Sequence, residues 1–129
     1  MTKLLLDTHA LLWALGEPEK LSARAREAVE DPASLRLVSS ASAWEIATKY
    51  RLGRLPGAEV LLSAYSRHLR TLHAVELTIT SEHAILAGMI RHVHRDPFDR
   101  VLAAQARIEG AYIVSRDEVF DALGAPRLW

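Results

Sequence analysis

Short apolar runs alternate with longer amphipathic segments along the whole chain. Each run is three or four residues long and ends at polar or turn-forming residues, which is typical of buried β-strands. Between the runs, apolar residues recur every three or four positions, which predicts helices packed against a sheet. The predicted strands are Lys3–Leu6, Leu35–Val38, Ala74–Leu77 and Tyr112–Val114, with Pro126–Trp129 as a further strand at the sheet edge.

Capping and helix-breaking residues indicate where the helices begin and end. The predicted helices are Thr8–Leu15, Leu21–Glu30, one from Ser39, Ser40 or Ser42 to about Leu52, one continuous helix from Gly57 to about Leu72, one from Thr80 or Ser81 to about Ile90, one from Pro97 to Gly110, and a short one from Asp117. Strands that alternate with helices in this way predict an α/β fold. We expect a three-layer α/β/α sandwich around a mostly parallel, doubly wound sheet of four or five strands, with residues 1–129 forming one domain.

Composition narrows the classes of protein to which the chain can belong. Lys plus Arg and Asp plus Glu both number 16, so the chain has no overall field that attracts polyanions, and any basic surface must be local. There is no cysteine, which excludes a disulfide framework and a thiolate zinc site. No run approaches the roughly 20 apolar residues that cross a bilayer, so we expect a cytoplasmic protein without a membrane segment.

Four acidic residues lie just after predicted strands or near the starts of predicted helices. Asp7 follows the first strand and Glu45 lies in the helix after the second. Asp99 lies in the first turn of a later helix, and Asp117 comes three residues after Val114. In a right-handed, doubly wound sheet, the carboxyl ends of the strands and the N-termini of the helices share one edge. All four side chains can therefore lie in one pocket.

Each of these acids also has an ordinary structural explanation. Asp7 and Asp117 can cap helices, Glu45 can pair with Lys49 four residues later, and Asp99 can complement a helix dipole. If the four carboxylates converge, their like charges oppose ionisation, and a hard divalent cation offsets that repulsion. Convergence therefore predicts an Mg²⁺ or Mn²⁺ site, which would activate water and neutralise charge on a phosphoryl group.

The loop before the helix at Pro97 carries residues with more than one possible role. Asp96 followed by Pro97 is a favoured helix start, so Asp96 is predicted to be the N-cap. His92 and His94 can act as ligands or bases, or can simply face solvent. The chain has no glycine-rich phosphate loop, no Gly-x-Ser-x-Gly elbow and no zinc spacing of histidines with carboxylates. The four acids are therefore the main chemical signal.

Four sequence blocks resemble the motifs of PIN-domain ribonucleases, specifically the VapC-type toxins of type II toxin–antitoxin pairs. The blocks are Leu5–Trp13, Ser42–Lys49, Asp96–Ala106 and Val114–Asp117, and with their order and spacing the resemblance covers essentially the whole chain. It implies that Asp7, Glu45, Asp99 and Asp117 form an acidic, metal-binding active site. Asp99, just before an apolar-Ala-Ala run, matches the third acid of the family, rather than Asp96.

The resemblance implies an activity and further roles for three neighbouring residues. The activity is that of an endoribonuclease that hydrolyses RNA phosphodiester bonds with Mg²⁺, which Mn²⁺ can replace. The Thr8 hydroxyl would orient a ligand or water, Asp96 would lie close enough to hold a metal ligand in place, and Arg116 would contact phosphate or be a plain surface residue. With Asp7 as a metal ligand, Thr8 is expected to supply the cap of the first helix.

The resemblance also implies partners. We expect an RNA substrate, including structured RNA such as tRNA, a homodimer, and a cognate antitoxin whose C-terminal segment lies over the acidic site in a heterotetramer or larger assembly. The predicted helix from Gly57 to Leu72, with Trp13, Trp44 and Tyr50, would supply an apolar groove, although composition alone favours a place in the core for these aromatic residues. The residues expected to form a local phosphate track are Arg51, Arg54, Arg67, Arg70, Arg95 and Arg100.

Other classes of protein combine a doubly wound fold with an acidic site. A receiver-like signalling domain would have adjacent acids after the first strand and a Lys beyond a late strand, whereas Thr8 and His9 follow Asp7 and no Lys follows Val114. A haloacid-type phosphatase would have a second Asp at the position of His9. A catalytically silent binding module is a third alternative, which an RNA cleavage assay would separate from the nuclease.

Overall fold

A computed structural model describes residues 1–129, and its centre is a parallel sheet of five strands. The strands are β1 (Lys3–Leu6), β2 (Leu35–Ser39), β3 (Ala74–Leu77), β4 (Tyr112–Val114) and β5 (Arg127–Leu128). Their order across the sheet is β3-β2-β1-β4-β5, and every neighbouring pair is parallel. The predicted α/β architecture is confirmed, with the larger of the two expected strand numbers.

Eight α-helices surround the sheet. They are α1 (Thr8–Gly16), α2 (Ala23–Glu30), α3 (Ser40–Arg51), α4 (Glu59–Ser63), α5 (Tyr65–Thr71), α6 (Ser81–Met89), α7 (Pro97–Glu109) and α8 (Val119–Ala122), and a 3₁₀ turn at Pro18–Lys20 separates α1 from α2. None of these helices combines the length and the apolar character needed to span a membrane.

The alternation of side chains along β1 divides the core into two layers. Leu4 and Leu6 are fully buried on one face, where residues of α1, α2, α3 and α5 pack against them. Leu5 is fully buried on the other face, where it joins residues of α7 and α8. Burying each such leucine contributes about 1.5–3 kcal/mol. Because both faces of β1 are covered, its residues Leu4–Leu6 form an unbroken apolar run, and the strand ends just before the carboxylate of Asp7.

The continuous helix predicted from Gly57 to Leu72 was wrong. The chain forms α4 and α5 instead, and the break is at Ala64, whose φ of −141° is outside the helical range. No glycine or proline marks this break in the sequence. Separating the two helices allows Leu69 of α5 to become buried while Leu61 of α4 packs at the edge of the same cluster. Tertiary packing has overridden a continuous apolar pattern.

The order of the strands creates a crevice beside β1. The chain moves outward from β1 through β2 to β3, and then crosses back to place β4 on the other side of β1. In doubly wound sheets, ligands bind at the carboxyl ends of the two strands where this reversal occurs. The order also differs from the 2-1-3-4-5 arrangement of receiver domains, which argues against the signalling alternative. Residues directly after β1 and β4 are therefore the ones placed at the crevice.

Candidate active site

Asp7 combines the capping role and the position at the crevice that the sequence left as alternatives. It is 8% exposed, and its Oδ1 accepts a hydrogen bond of 2.8 Å from the backbone N–H of Ala10, so Asp7 is the N-cap of α1. The expectation that Thr8 caps this helix was wrong. Burial raises the pKa of Asp7, and hydrogen bonds from Ser115 and the Ala10 N–H oppose that rise. Asp7 is thus a carboxylate held where its ionised form is disfavoured.

Glu45 is held close to Asp7 by a hydrogen bond from Thr8, the residue that follows Asp7. The Thr8 hydroxyl donates to Glu45 Oε1 at 2.6 Å, and the Ser42 hydroxyl lies 3.3 Å from the same Thr8 oxygen. Lys49 Nζ lies 2.8 Å from Glu45 Oε2, so the predicted i,i+4 pair exists. The Glu45 side chain is only 12% exposed, however, and the pair is therefore not the solvated surface contact that this spacing usually makes. Both carboxylate oxygens of Glu45 are held by donors.

Asp99 approaches the same edge from the first turn of α7. His94 Nε2 lies 2.8 Å from Asp99 Oδ2, and the Asp99 side chain is 20% exposed. Burial raises the pKa of Asp99 to about 6; the hydrogen bond with His94 opposes the rise, whereas the charges of Asp96 and Glu45 add to it. The charge of Glu45 also raises the pKa of Asp7. Glu45 therefore couples electrostatically to Asp7 on one side and to Asp99 on the other.

The loop before α7 adds two more potential ligands next to Asp99. Asp96 Oδ1 accepts a hydrogen bond of 2.9 Å from the N–H of Phe98, which confirms Asp96 as the N-cap of α7. Potential ligand atoms of His94, Asp96 and Asp99 all lie within 4.8 Å of one another. His94, whose role the sequence left open, therefore faces the acids and does not simply face solvent.

Asp117 forms the outer wall of the site. It is exposed, its Oδ1 accepts a hydrogen bond of 3.0 Å from the N–H of Val119, and it lines a pocket of about 430 Å³ together with Asp7. Ser115, which the sequence reasoning missed, is fully buried between them: its Oγ accepts from the Asp117 N–H at 2.9 Å. A serine that directly follows an apolar strand was the available signal. Asp7 and Glu45 are therefore buried, Asp99 is partly buried, and Asp117 borders the opening.

Arg100 does not belong to the expected phosphate track. Its guanidinium donates to the carbonyl oxygens of Ala87, Ile90, His92 and His94, and so closes the C-terminus of α6 and holds the loop that carries His94. The planar fork of arginine suits several carbonyl acceptors at once, which a lysine cannot contact together. This role of Arg100 could not be predicted from the sequence, because the four acceptors lie 6 to 13 residues from Arg100 along the chain. The other five arginines of the expected track are exposed at the surface, namely Arg51, Arg54, Arg67, Arg70 and Arg95.

The raised pKa of Asp99 gives a prediction about stability. The folded-state pKa of about 6 lies above the ordinary value of 3.8, so ionisation of Asp99 opposes folding: its stabilising, protonated form is fully present below about pH 4 and is lost as the pH rises through 6. In EDTA, we expect Asp99→Asn to be more stable than the parent protein by about 2 kcal/mol at pH 7.5, and by much less at pH 4. Urea denaturation at both pH values measures this difference. Glu27→Gln, on the exposed face of α2, is the matched control, and a pH-independent gain for Asp99→Asn would contradict the prediction.

The chemistry of the site follows from its donors. Carboxylate oxygens dominate, hydroxyl groups of Thr8 and Ser115 support them, and Lys49 supplies the single ion-paired ammonium. Carboxylates that are buried together are stable as anions only with compensating positive charge, and oxygen donors are those preferred by Mg²⁺ and Mn²⁺. The donor set therefore fits a hard divalent cation at this edge of the sheet.

Comparisons with known proteins agree with the fold. A family model described as the PIN domain matches residues 4–126. Ribonuclease VapC22 of Mycobacterium tuberculosis (strain ATCC 25618 / H37Rv) is 30% identical over 127 residues, covering 98% of this chain and 96% of that protein.

Solved structures show the same architecture at lower identity. VapBC2 from Rickettsia felis, bound to a DNA fragment from its promoter, contains a chain with a TM-score of 0.70 and 15% identity, covering 98% of this chain and 96% of that one. FitAcB from Neisseria gonorrhoeae contains a chain with a TM-score of 0.61 and 19% identity, covering 96% of this chain and 95% of that one. At these identities the likeness concerns the fold alone. Because the family model and the VapC22 relative both span nearly the whole chain, this protein belongs to the PIN-domain family and, within it, to the VapC-type proteins.

Proposed function

We propose that this protein is an Mg²⁺/Mn²⁺-dependent endoribonuclease and the toxin component of a type II toxin–antitoxin pair. The observation that carries the proposal is the grouping of Asp7, Glu45 and Asp99 at one edge of the sheet, where burial raises the pKa of Asp7 and Asp99. Acids are rarely buried together without a compensating charge. Kinship with a protein named as a ribonuclease supports RNA as the substrate.

The residues would divide the work as follows. Asp7, Glu45, Asp99 and Asp117 would hold the divalent cation, which would acidify a water molecule and neutralise charge on the phosphate. Thr8 orients Glu45 through its hydrogen bond of 2.6 Å, and Asp96 keeps the first turn of α7 in place as its N-cap.

The central test is an RNA cleavage assay with protein purified free of any antitoxin. We expect cleavage with Mg²⁺ or Mn²⁺, none in excess EDTA, and recovery when the metal is restored. Mapping the ends of the products would identify the bond that is cut. Cleavage that persists undiminished in EDTA would rule out the metal-dependent mechanism, and an intact RNA under every metal condition would favour a silent binding module.

Lys49 gives a prediction about metal affinity. Its ammonium lies 2.8 Å from Oε2 of Glu45, one of the acids that would hold the metal. Because the two cations compete for one carboxylate and repel each other, we expect Lys49→Gln to bind Mn²⁺ more tightly, on the order of tenfold. Isothermal titration with Mn²⁺ measures the affinity, and Lys49→Arg, which keeps the charge, should resemble the parent protein. Weaker Mn²⁺ binding by Lys49→Gln would show that Lys49 instead holds Glu45 in its ligating position.

An apolar groove would receive the antitoxin. A groove of about 390 Å³ runs between α1 and the start of α4, and its lining includes Leu12, Leu15, Leu55, Val60 and Leu61. The aromatic residues expected there, Trp13, Trp44 and Tyr50, do not line this groove, and Trp13 lines the pocket beside Asp7 instead. Trp44 is 62% exposed and packs edge-on against Phe98, and Tyr50 is 40% exposed, so neither of these two is a core residue.

The proposed assemblies have a direct test. We expect a homodimer for the purified protein, and a heterotetramer or larger complex when a cognate antitoxin is coexpressed. Light scattering coupled to gel filtration gives both masses. A monomer at micromolar concentrations would contradict the dimer, and an antitoxin that leaves RNA cleavage unchanged would contradict inhibition over the acidic site.

A further inference from the structure

Arg116, at the mouth of the acidic site, is held in an unusual way for a surface arginine. It follows β4, is exposed, and is followed in sequence by the exposed acids Asp117 and Glu118. It nevertheless forms neither an ion pair nor a side-chain hydrogen bond with them. The guanidinium carbon lies instead 5.2 Å from the centroid of the Trp13 ring, the distance of a cation–π contact. The N–H groups of Arg116 therefore have no acceptor within the protein.

The indole beneath Arg116 is itself fixed in place. Trp13 is half-buried on α1, and its ring centroid lies 5.9 Å from that of Trp129 and 5.7 Å from that of His9. Trp129 at the end of the chain and Arg116 in the loop after β4 both reach this ring from elements remote in sequence. The aromatic support thus places a cationic group at a defined position without neutralising it, which a carboxylate partner would have done.

This cation borders the same pocket as Asp7. The residues that line the pocket are Asp7, His9, Trp13, Arg116, Asp117 and Glu118. A nucleic acid strand whose phosphate lies over the acids must place its neighbouring phosphates against the walls of this pocket. Arg116 offers the planar fork of donors that matches phosphate oxygens, and His9, exposed on the same indole, offers a ring nitrogen.

We propose that Arg116, supported by Trp13 and flanked by His9, forms a subsite for the RNA phosphate next to the one that is cleaved. The proposal rests on the ribonuclease function proposed above. The subsite would supply positive charge beside the acids. The site needs such charge in order to hold a polyanion, because the whole chain has a formal net charge of zero. The subsite also decides between the two roles that the sequence left open for Arg116, a phosphate contact and a plain surface residue, through the position of Arg116 over Trp13 at the mouth of the pocket.

The subsite can be tested by RNA binding without cleavage. In EDTA, we measure the anisotropy of a fluorescein-labelled RNA oligonucleotide with the full chain over a range of salt concentrations. We expect Arg116→Ala to weaken binding by about fivefold to tenfold and to reduce the slope of log affinity against log salt by about 1. Arg24→Ala removes an exposed arginine of α2 that lies outside the pocket lining, and it should bind RNA like the parent protein.

The aromatic support has its own variants. Trp13→Phe keeps an aromatic ring under the guanidinium and should retain most of the affinity, whereas Trp13→Leu should lose part of it. Thermal denaturation of each variant separates loss of fold from loss of binding, and Arg116→Lys tests the fork at constant charge. With metal present, Arg116→Ala should raise KM more than it lowers kcat.

The outcomes separate this proposal from the proposed function. If the parent protein cleaves RNA with metal but Arg116→Ala binds RNA with unchanged affinity and salt slope, the subsite is overturned and the nuclease stands. A lowered melting temperature with unchanged RNA affinity would also overturn it, because Arg116 would then serve only folding. If the parent protein cleaves no RNA under any metal condition, the proposed function itself fails.

Discussion

Asp7→Asn is expected to lower RNA cleavage by more than about 100-fold while leaving the protein at least as stable as before. The loss should exceed the 10-fold to 100-fold range that is typical when a residue merely supporting a metal ligand is changed, since Asp7 would be a ligand itself. Single-turnover cleavage in saturating Mn²⁺ measures the activity, and thermal denaturation in EDTA measures the stability.

The expected stability follows from the burial of Asp7. Burial raises its pKa, so ionisation at neutral pH opposes folding, and a neutral isostere removes that cost. Asparagine is as good an N-cap as aspartate, and its side-chain oxygen can still accept from the Ala10 N–H. A variant that gains stability and loses activity indicates that the original residue serves function although it destabilises the fold.

The matched control for this variant is Asp121→Asn. Asp121 is also an aspartate near the start of a helix, in the first turn of α8, but its side chain is 56% exposed and it pairs with Arg127 away from the pocket. We expect Asp121→Asn to cleave RNA at the parent rate. If Asp7→Asn cleaved RNA within a few-fold of the parent rate, Asp7 could not be a metal ligand; if it unfolded, its capping role would exceed any role in catalysis.

Arg100→Lys is expected to destabilise the protein by about 2–4 kcal/mol, even though it preserves the charge. The guanidinium donates to four carbonyl oxygens, and an ammonium can reach only some of them, so that the C-terminus of α6 and the loop before α7 lose their common anchor. Because that loop presents His94 to Asp99, we also expect cleavage to fall by tenfold or more. Urea denaturation and the RNA assay measure the two effects.

The control for Arg100 lies in the same loop. Arg95 is exposed, and Arg95→Lys should leave the free energy of unfolding unchanged. A different result would restore the expectation drawn from the sequence: if Arg100→Lys had parent stability and changed only the salt dependence of RNA binding, Arg100 would be a phosphate contact after all.

The local pattern of the sequence was sufficient for the elements that depend on neighbouring residues. The apolar run at Lys3–Leu6 is β1 with the predicted bounds, and Asp96 before Pro97 is the N-cap of α7. Strand and cap are both decided within a few residues, by burial on two faces and by the satisfaction of free N–H groups. The helix predicted across Ala64 failed, because the place where α4 ends depends on what Leu61 and Leu69 must cover.

The candidate site shows the same division. The positions of Asp7, Glu45, Asp99 and Asp117 relative to the predicted strands and helices led us to expect them at one edge of the sheet, because the carboxyl ends of the strands and the N-termini of the helices share that edge in a parallel doubly wound sheet. Their partners were not predictable in this way. Ser115, the Thr8 bond to Glu45 and the His94 bond to Asp99 join side chains whose contact depends on distances of a few ångströms between separate elements.

The sequence by itself determined the architecture and the membership of the chain in its family, and it predicted the acids of the candidate site, because all of these depend on local periodicity and on the order of short motifs. Only the tertiary structure decided which cations accompany those acids. It assigned Arg100 to the carbonyl groups of α6 and its loop and Arg116 to the face of Trp13, and it selected the pairing of Lys49 with Glu45 that the i,i+4 spacing had offered as one alternative. The partner of a long charged side chain is seldom evident from the sequence, because it depends on which acceptor or aromatic ring the folded chain brings within reach.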